Sequence, residues 1–357
     1  MSDPRTRALA LRARFVAAGA QVVDPPVLQP ADLLLDLYGE DIRARAYVTS
    51  DAMRGEQMLR PDFTVPVVQM HMSNGAEPAR YTYAGEVFRR QEDDPDRANE
   101  YLQVGYEVFD RTNPAAADAE VFSLISQAVA PLGLRAATGD IGILMAAVEG
   151  LNTSGRRKAA LRRHIWRPRR FRALLDRFAG RTPLPESRRA LLADAVDTSV
   201  LLTGLRSQSE VDARIQALRE DAAEGPISGM EMEAFDALLA VRETLPFALA
   251  QLRDLMGDLP VIAQAVAGVD TRAQALAARG VDVDALEFET SYGRTSMEYY
   301  DGFVFGFYAE SRPDLPPVAT GGRYDALTRR LGGGAEIPAV GAVLRPDLMA
   351  VLEAETV

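Results

Sequence analysis

The sequence predicts an α+β protein in which two strand-bearing parts, 1–149 and 286–357, enclose a helical insertion at 150–285. Three observations carry this. Two aromatic, valine-containing runs face each other across a charged loop, strand pattern returns near the C-terminus, and alanine-, leucine- and arginine-rich stretches fill the middle. The runs "RYTYAGEVFRR" (80–90) and "EYLQVGYEVFD" (100–110) flank the proline-broken "QEDDPDRAN", which predicts a long-looped antiparallel hairpin.

Taken in order, residues 4–19 have helical spacing. "AQVVDPPVLQPADLLLDLYG" reads as a short apolar strand ending at Pro25 and Pro26, then a polar loop leading into a helix. "ARAYVTSD" predicts a strand, and "EQMLRPDFTVPVVQMHMS" a strand, a turn around Pro61, and a helix or extended segment. After the hairpin, "NPAAADAEVFSLISQAVAPLGL" predicts a helix capped near Pro114, with "RAATGDIGIL" a strand behind it. Stretches such as "PESRRALLADAVDT" and "EAFDALLAVRETLPFALAQLRDLM" make the insertion helical. Strands return at "VDALEFETSYGR" and "MEYYDGFVFGFYAE", followed by a glycine turn in "ATGGRYDAL" and the closing "IPAVGAVLRPDLMAVLEAE".

Composition removes several function classes. The chain has 357 residues with 25% charged and 47% hydrophobic, which are globular values. No run of eighteen apolar residues predicts a membrane span, and the N-terminus lacks a secretory apolar region, so cytoplasm is the default compartment. Absence of cysteine removes disulfides, thiolate nucleophiles and zinc–sulfur sites. The single lysine, Lys158, fits neither a P-loop nor a kinase motif. His71 and His164 are far apart and outside any metal-ligand spacing, so neither a metal nor a cofactor is expected. A net charge of −11 argues against a broad nucleic-acid surface. The exception is the basic 156–181, "RRKAALRRHIWRPRRFRALLDRFAGR". It is either a solvated helical face paired with nearby acids or a docking surface for an acidic or phosphate-bearing partner.

Side chains alternate along strands, so 100–110 presents Leu102, Val104, Tyr106 and Val108 on one face and Gln103, Gly105 and Glu107 on the other. The comparable set in 80–90 is Gly85 and Arg89, and in 299–308 it is Tyr300, Gly302 and Gly306. Glycine in a strand often marks close approach by a ligand. Paired, these faces would make a glycine floor ringed by an arginine, a glutamine, a carboxylate and a phenol, suited to a small zwitterion. A solvent-facing side of the sheet would carry the same residue types.

"LRPDFT" (59–64), "FRRQEDDPDRANEYLQVGYEVFD" (88–110), "SMEYYDG" (296–302) and "GGRYDALTRRLGGGAEIPAVGAVL" (321–344) resemble, in order, motifs of the histidyl-tRNA synthetase catalytic core. The resemblance implies a class II synthetase fold, a mostly antiparallel sheet flanked by helices, dimerising through the N-terminal helix and the strand around Pro26. It implies histidine-binding roles for Asp62 and Thr64 at the amino group, assisted by Gln103, and for Arg89 near the carboxylate and phosphate. Glu107 and Tyr300 stand as imidazole readers, with Tyr324 a further pocket tyrosine. Neutral imidazole offers one donor and one acceptor, which a carboxylate and a phenol can satisfy together.

Departures from the motifs bear on activity. Thr295 stands where the family has an α-phosphate arginine, and Leu348 where an arginine clamps ATP. Asn99 and Gln91 replace an arginine and a glutamate, while Arg97 remains. Nucleotidyl transfer depends on cations that neutralise developing charge, and one lost contact typically costs about 10²–10³ in rate. The anticodon-binding domain of the family is not expected here. A core that keeps the amino-acid pocket without activation chemistry resembles the regulatory-subunit family of ATP phosphoribosyltransferase. That resemblance implies a short catalytic partner chain, histidine as effector and no catalytic residues. An active synthetase paralogue, with Arg345 or Arg294 replacing a lost cation, is the alternative.

Overall fold

The computed structural model describes residues 3–38, 42–91, 97–193, 204, 206–294 and 299–356. Its frame is a nine-stranded sheet ordered β1-β5-β6-β12-β11-β10-β7-β9-β8. The strands are β1 (Gln21–Val22), β5 (Ala79–Phe88), β6 (Glu100–Phe109), β7 (Arg135–Asp140), β8 (Arg242–Thr244), β9 (Glu287–Glu289), β10 (Phe303–Tyr308), β11 (Ala319–Arg323) and β12 (Ala339–Leu344). A smaller sheet pairs β2 (Leu28–Pro30) and β3 (Val48–Asp51) on either side of β4 (Gly55–Leu59). Only β1–β5 and β7–β9 pair in parallel; the other neighbours are antiparallel.

The hairpin forms as the alternation predicts, with Gly85 opposite Gln103 and Tyr83 opposite Gly105. Its Val104, Tyr106 and Val108 face is buried. Tyr106 packs on Phe15 of the helix Pro4–Ala17, ring centroids 5.3 Å apart, and its hydroxyl donates to Glu120 of the helix Pro114–Val129. Asn113 caps that second helix by accepting from Ala116 N, and Pro114 fills a first-turn position that needs no donor.

The structure corrects four sequence expectations. Gly321 and Gly322 lie within β11, not in a turn; a Cβ at Gly321 would stand 2.4 Å from the Phe305 ring, so close packing, not chain reversal, demands glycine there. The strand at "RAATGDIGIL" stops at Asp140, whose carboxylate accepts from Gly142 N and starts the helix Ile141–Gly150. The helical reading of "LLAVRETLPF" is interrupted by β8, where Arg242–Thr244 pair with Glu287–Glu289. Finally, Tyr300 and Gly302 precede β10 instead of alternating within it. Their backbone bonds leave the ladder: Asp301 N donates to Arg323 O, and Gly302 O accepts from Ile141 N.

The basic 156–181 segment forms the helices Gly155–Arg163 and Pro168–Phe178. Its cations pair with nearby acids: Arg157 with Asp221, Arg162 with Glu149, Arg156 with Glu220, and Arg172 with Asp176 and Asp236. Behind the sheet a buried charge lattice ties distant elements together. Asp118 accepts from Arg272 at 3.1 Å and from Arg323 at 2.6 Å; Arg272 also meets Asp140, and Arg323 meets Asp325 at 3.0 Å. Two guanidiniums lose a shared counter-ion if Asp118 is removed. Asp118→Ala should therefore lower unfolding free energy by roughly 3–5 kcal/mol, read as a fall in the urea midpoint; an unchanged midpoint would mean the lattice contributes nothing net.

Candidate functional site

The face of β6 that carries Gln103, Gly105 and Glu107 is buried, not solvated: Gln103 is 3% and Glu107 1% exposed. Glu107 is the centre of the site. Its Oε1 accepts from Thr64 Oγ1 at 2.9 Å and from Tyr83 OH at 2.8 Å, and its Oε2 accepts from Tyr324 OH at 2.6 Å. A carboxylate this buried needs such donors, because leaving it unsolvated and unpaired would be far more costly.

Two glycines make the arrangement possible. A Cβ at Gly341, opposite Glu107 in β12, would stand 1.4 Å from its Oε2; one at Gly105 would stand 2.1 Å from the Tyr83 ring. Much of the expected glycine floor is thus filled by the protein's own side chains. Gly85 likewise makes room for Arg60 and Phe63, and Gly306 for Tyr292, away from Glu107.

The structure brings most of the expected residues together. Thr64 opens the helix Thr64–Asn74, and Asp62 just before it accepts from Val65 N at 3.3 Å. Tyr300 is buried, and its phenol is raised above the ordinary range by burial first, then by the carboxylates of Glu107 and Asp62, with Arg89 opposing. Glu107, Asp62 and Arg89 thus all act electrostatically on the Tyr300 phenol. Tyr299 packs edge-on against both Tyr300 and Tyr324, at 5.0 and 6.1 Å, completing an aromatic wall. Arg89 lies just past β5, where its Nε donates to Pro61 O at 2.6 Å. Gln103 Oε1 is buried with no hydrogen-bond partner among the described residues. A buried acceptor without a partner is costly, so this one would gain from a bound donor.

Sequence reasoning missed Tyr83. It sits two residues from Gly85, hence on the same strand face, and its pairing with Gly105 leaves space for the ring. That juxtaposition was the available signal. Phe63 stacks on the same ring, centroids 4.3 Å apart, and fixes its orientation.

With this geometry in view, the comparisons are specific. The family model for histidyl-tRNA synthetase matches residues 5–224 and 211–349. Regulatory subunits of ATP phosphoribosyltransferase from Brucella ovis and Brucella abortus are each 31% identical, over 97% of this chain and 96% of theirs. The chain belongs to the ATP phosphoribosyltransferase regulatory subunit family.

Solved structures similar to this family member agree on the class II synthetase fold. One is titled an ATP phosphoribosyltransferase regulatory subunit/histidyl-tRNA synthetase from Bacillus halodurans C, at TM-score 0.69 and 20% identity over 99% of this chain and 81% of that one. Another is the histidyl-tRNA synthetase from Nostoc sp. PCC 7120, at TM-score 0.66 and 15% identity over 99% of this chain and 72% of that one.

Two arginines that the sequence offered as replacement cations, Arg345 and Arg294, make other contacts in this family member. Leu348 is buried in the helix Pro346–Thr356 and offers no charge. Arg345 does lie on the site side, its guanidinium 4.1 Å from the Tyr101 ring centroid, but it is neutralised by Asp347 at 3.0 Å. Arg294 turns into the helical segment, donating to Ile165 O at 2.7 Å and lying over Phe171. Burial pushes its pKa down to about 10. Asn99 Oδ1 accepts from Gln91 N, and Arg97 reaches Asp314 O at 3.4 Å. Thr295 lies outside the described residues, as does 92–96 of the charged loop.

Burial pushes the Glu107 carboxyl up to about 7, against the lowering effect of Tyr324, Tyr83 and Thr64 and with a raising contribution from Asp62. The folded value thus exceeds the unfolded one of about 4.3. Between them the folded state keeps a proton that the unfolded state has lost, so stability falls as pH rises through that window and levels off above 7. Asp301, also raised to about 7 chiefly by burial, acts in the same direction. The difference between wild type and Glu107→Gln isolates the first group. Denaturation at pH 5 and pH 8 should give wild type a loss larger by roughly 3 kcal/mol; parallel pH profiles would refute the raised value.

Proposed function

We propose that the chain is a non-catalytic regulatory subunit that binds L-histidine at Glu107 and associates with a short-form ATP phosphoribosyltransferase catalytic chain. In this reading the catalytic chain needs it for activity, and histidine binding confers feedback inhibition at the first step of histidine biosynthesis. In this reading it contributes no catalytic residue, metal or cofactor of its own to that reaction. The observation that carries the reading is the buried Glu107 cluster, together with Gln103 Oε1 on the same face of β6, which has no partner among the described residues.

The chemistry matches a neutral imidazole at one end and an α-amino group at the other. Glu107 Oε2 has one protein donor among the described residues, leaving a lone pair for an imidazole N–H, while Tyr300 supplies a hydroxyl for the other ring nitrogen. Gln103 Oε1, Asp62 and Thr64 suit the ammonium, and Arg89 suits the carboxylate. The names of the Brucella relatives support the catalytic partner. Pairing with a second copy through the N-terminal part of the chain is supported by exposed Val22, Val27, Leu28 and Val48. No helix among the described residues is long and apolar enough to cross a membrane.

Two measurements test this. Calorimetric titration with L-histidine should give saturable binding, and Glu107→Ala should weaken it by about 1–3 kcal/mol, because an imidazole donor loses its buried acceptor. Mixing the chain with the short phosphoribosyltransferase should raise turnover and make it sensitive to histidine, with a coupling of roughly 1–3 kcal/mol. Histidine affinity untouched by the substitution would remove the pocket assignment, and unchanged turnover would remove the regulatory one.

A further inference from the structure

We infer that the Ile165–Trp166 corner of the helical insertion is a clasp that positions the Tyr299–Tyr300 wall, so that the insertion and the histidine pocket are mechanically coupled. The inference rests on the histidine reading of that pocket and adds a positioning residue, Trp166, which acts through the Tyr300 backbone.

The wall meets the insertion through Trp166, and Arg294, which precedes Tyr299 in the chain, meets the same corner. Trp166 Nε1 donates to the backbone carbonyl of Tyr300 at 3.3 Å. Arg294, on the approach to the same wall, donates from Nε to Ile165 O at 2.7 Å and lays its guanidinium 4.7 Å from the Phe171 ring. Donor and acceptor roles are thus exchanged across one junction: the core reaches into the corner with an arginine, and the corner reaches back with an indole. Arg294 is buried, so breaking its bond to Ile165 would strand a guanidinium out of water.

The corner is not a free loop. It joins the helices Gly155–Arg163 and Pro168–Phe178, and these are locked to the rest of the insertion. Phe171 packs against Phe235 with ring centroids 5.8 Å apart, Arg157 donates to Asp221 at 2.7 Å, and Arg172 pairs with Asp236. A displacement of these helices therefore moves the corner as a unit. On the other side, Tyr300 is packed over Gly322 and against Tyr299, so moving its carbonyl moves the phenol relative to Glu107. A shift of about 1 Å in a positioned group is enough to alter recognition strongly. By linkage, histidine occupancy must bias the position of the insertion to the same extent that the insertion biases histidine affinity.

The chain contains one tryptophan, which makes the test direct. L-histidine is titrated into the full chain by calorimetry and, in parallel, by Trp166 emission. Expected are an emission change that saturates with the calorimetric Kd and a loss of histidine affinity of about fivefold or more in Trp166→Phe. That variant keeps an aromatic ring but lacks the N–H, and its melting temperature should stay near wild type. Arg294→Gln, at the second contact, should weaken histidine in the same direction and reduce the Trp166 emission response. Calorimetric binding with no emission change, or wild-type affinity in both variants, would overturn the clasp while leaving the pocket assignment intact. Failure of the wild type to bind histidine at all would overturn the pocket reading and the clasp with it.

Discussion

A carboxylate placed where water cannot reach it has to be met by donors from the protein, and Glu107 imposes that demand on the centre of this fold. Thr64, Tyr83 and Tyr324 come from three separate segments to meet it. Gly341 and Gly105 are fixed by the space that Glu107 and Tyr83 need. The antiparallel registers of β5, β6 and β12 follow, because a slip of one residue would turn Glu107 into the helix-packed face of the sheet. The same burial makes its proton equilibrium responsive near neutral pH.

On the proposed reading, the distribution of positive charge around this cluster favours recognition over nucleotide chemistry. Adenylation needs cations free to follow charge as it develops on phosphate. Here Arg345 is stacked on Tyr101 and compensated by Asp347, and Arg294 is drawn into the insertion. Leu348 contributes packing alone. Arg89 lies at the site's edge, where one guanidinium can meet a carboxylate. The retained groups suit an amino acid at rest more than a phosphoanhydride under attack.

Much of this was readable from alternation. Gln103, Gly105 and Glu107 share a face in the sequence and share it in β6, and the apolar face opposite them packs on helices as the pattern required. Inferences about glycine were among those that failed. Gly321 and Gly322 looked like a turn because glycine commonly serves turns, yet a neighbour's side chain, invisible in local sequence, demanded them in β11. Tyr300 and Gly302 mimicked strand alternation while their hydrogen bonds went to Trp166 and Ile141, partners more than a hundred residues away. The wall near Glu107 was therefore legible in composition but not in conformation. The basic run at 156–181 carried no information about its acidic partners, which lie mostly at 220–236.

The proposed reading turns on an amino-acid cradle that keeps Arg89 while Arg345 and Arg294 are bound to other protein groups. Competition calorimetry of L-histidine against a non-hydrolysable histidyl-adenylate analogue addresses both halves at once. An activating site binds such an analogue orders of magnitude more tightly than the amino acid. The predicted result is measurable histidine binding with no gain from the adenylate portion. Binding of the analogue a hundredfold or more tighter than histidine would contradict the account.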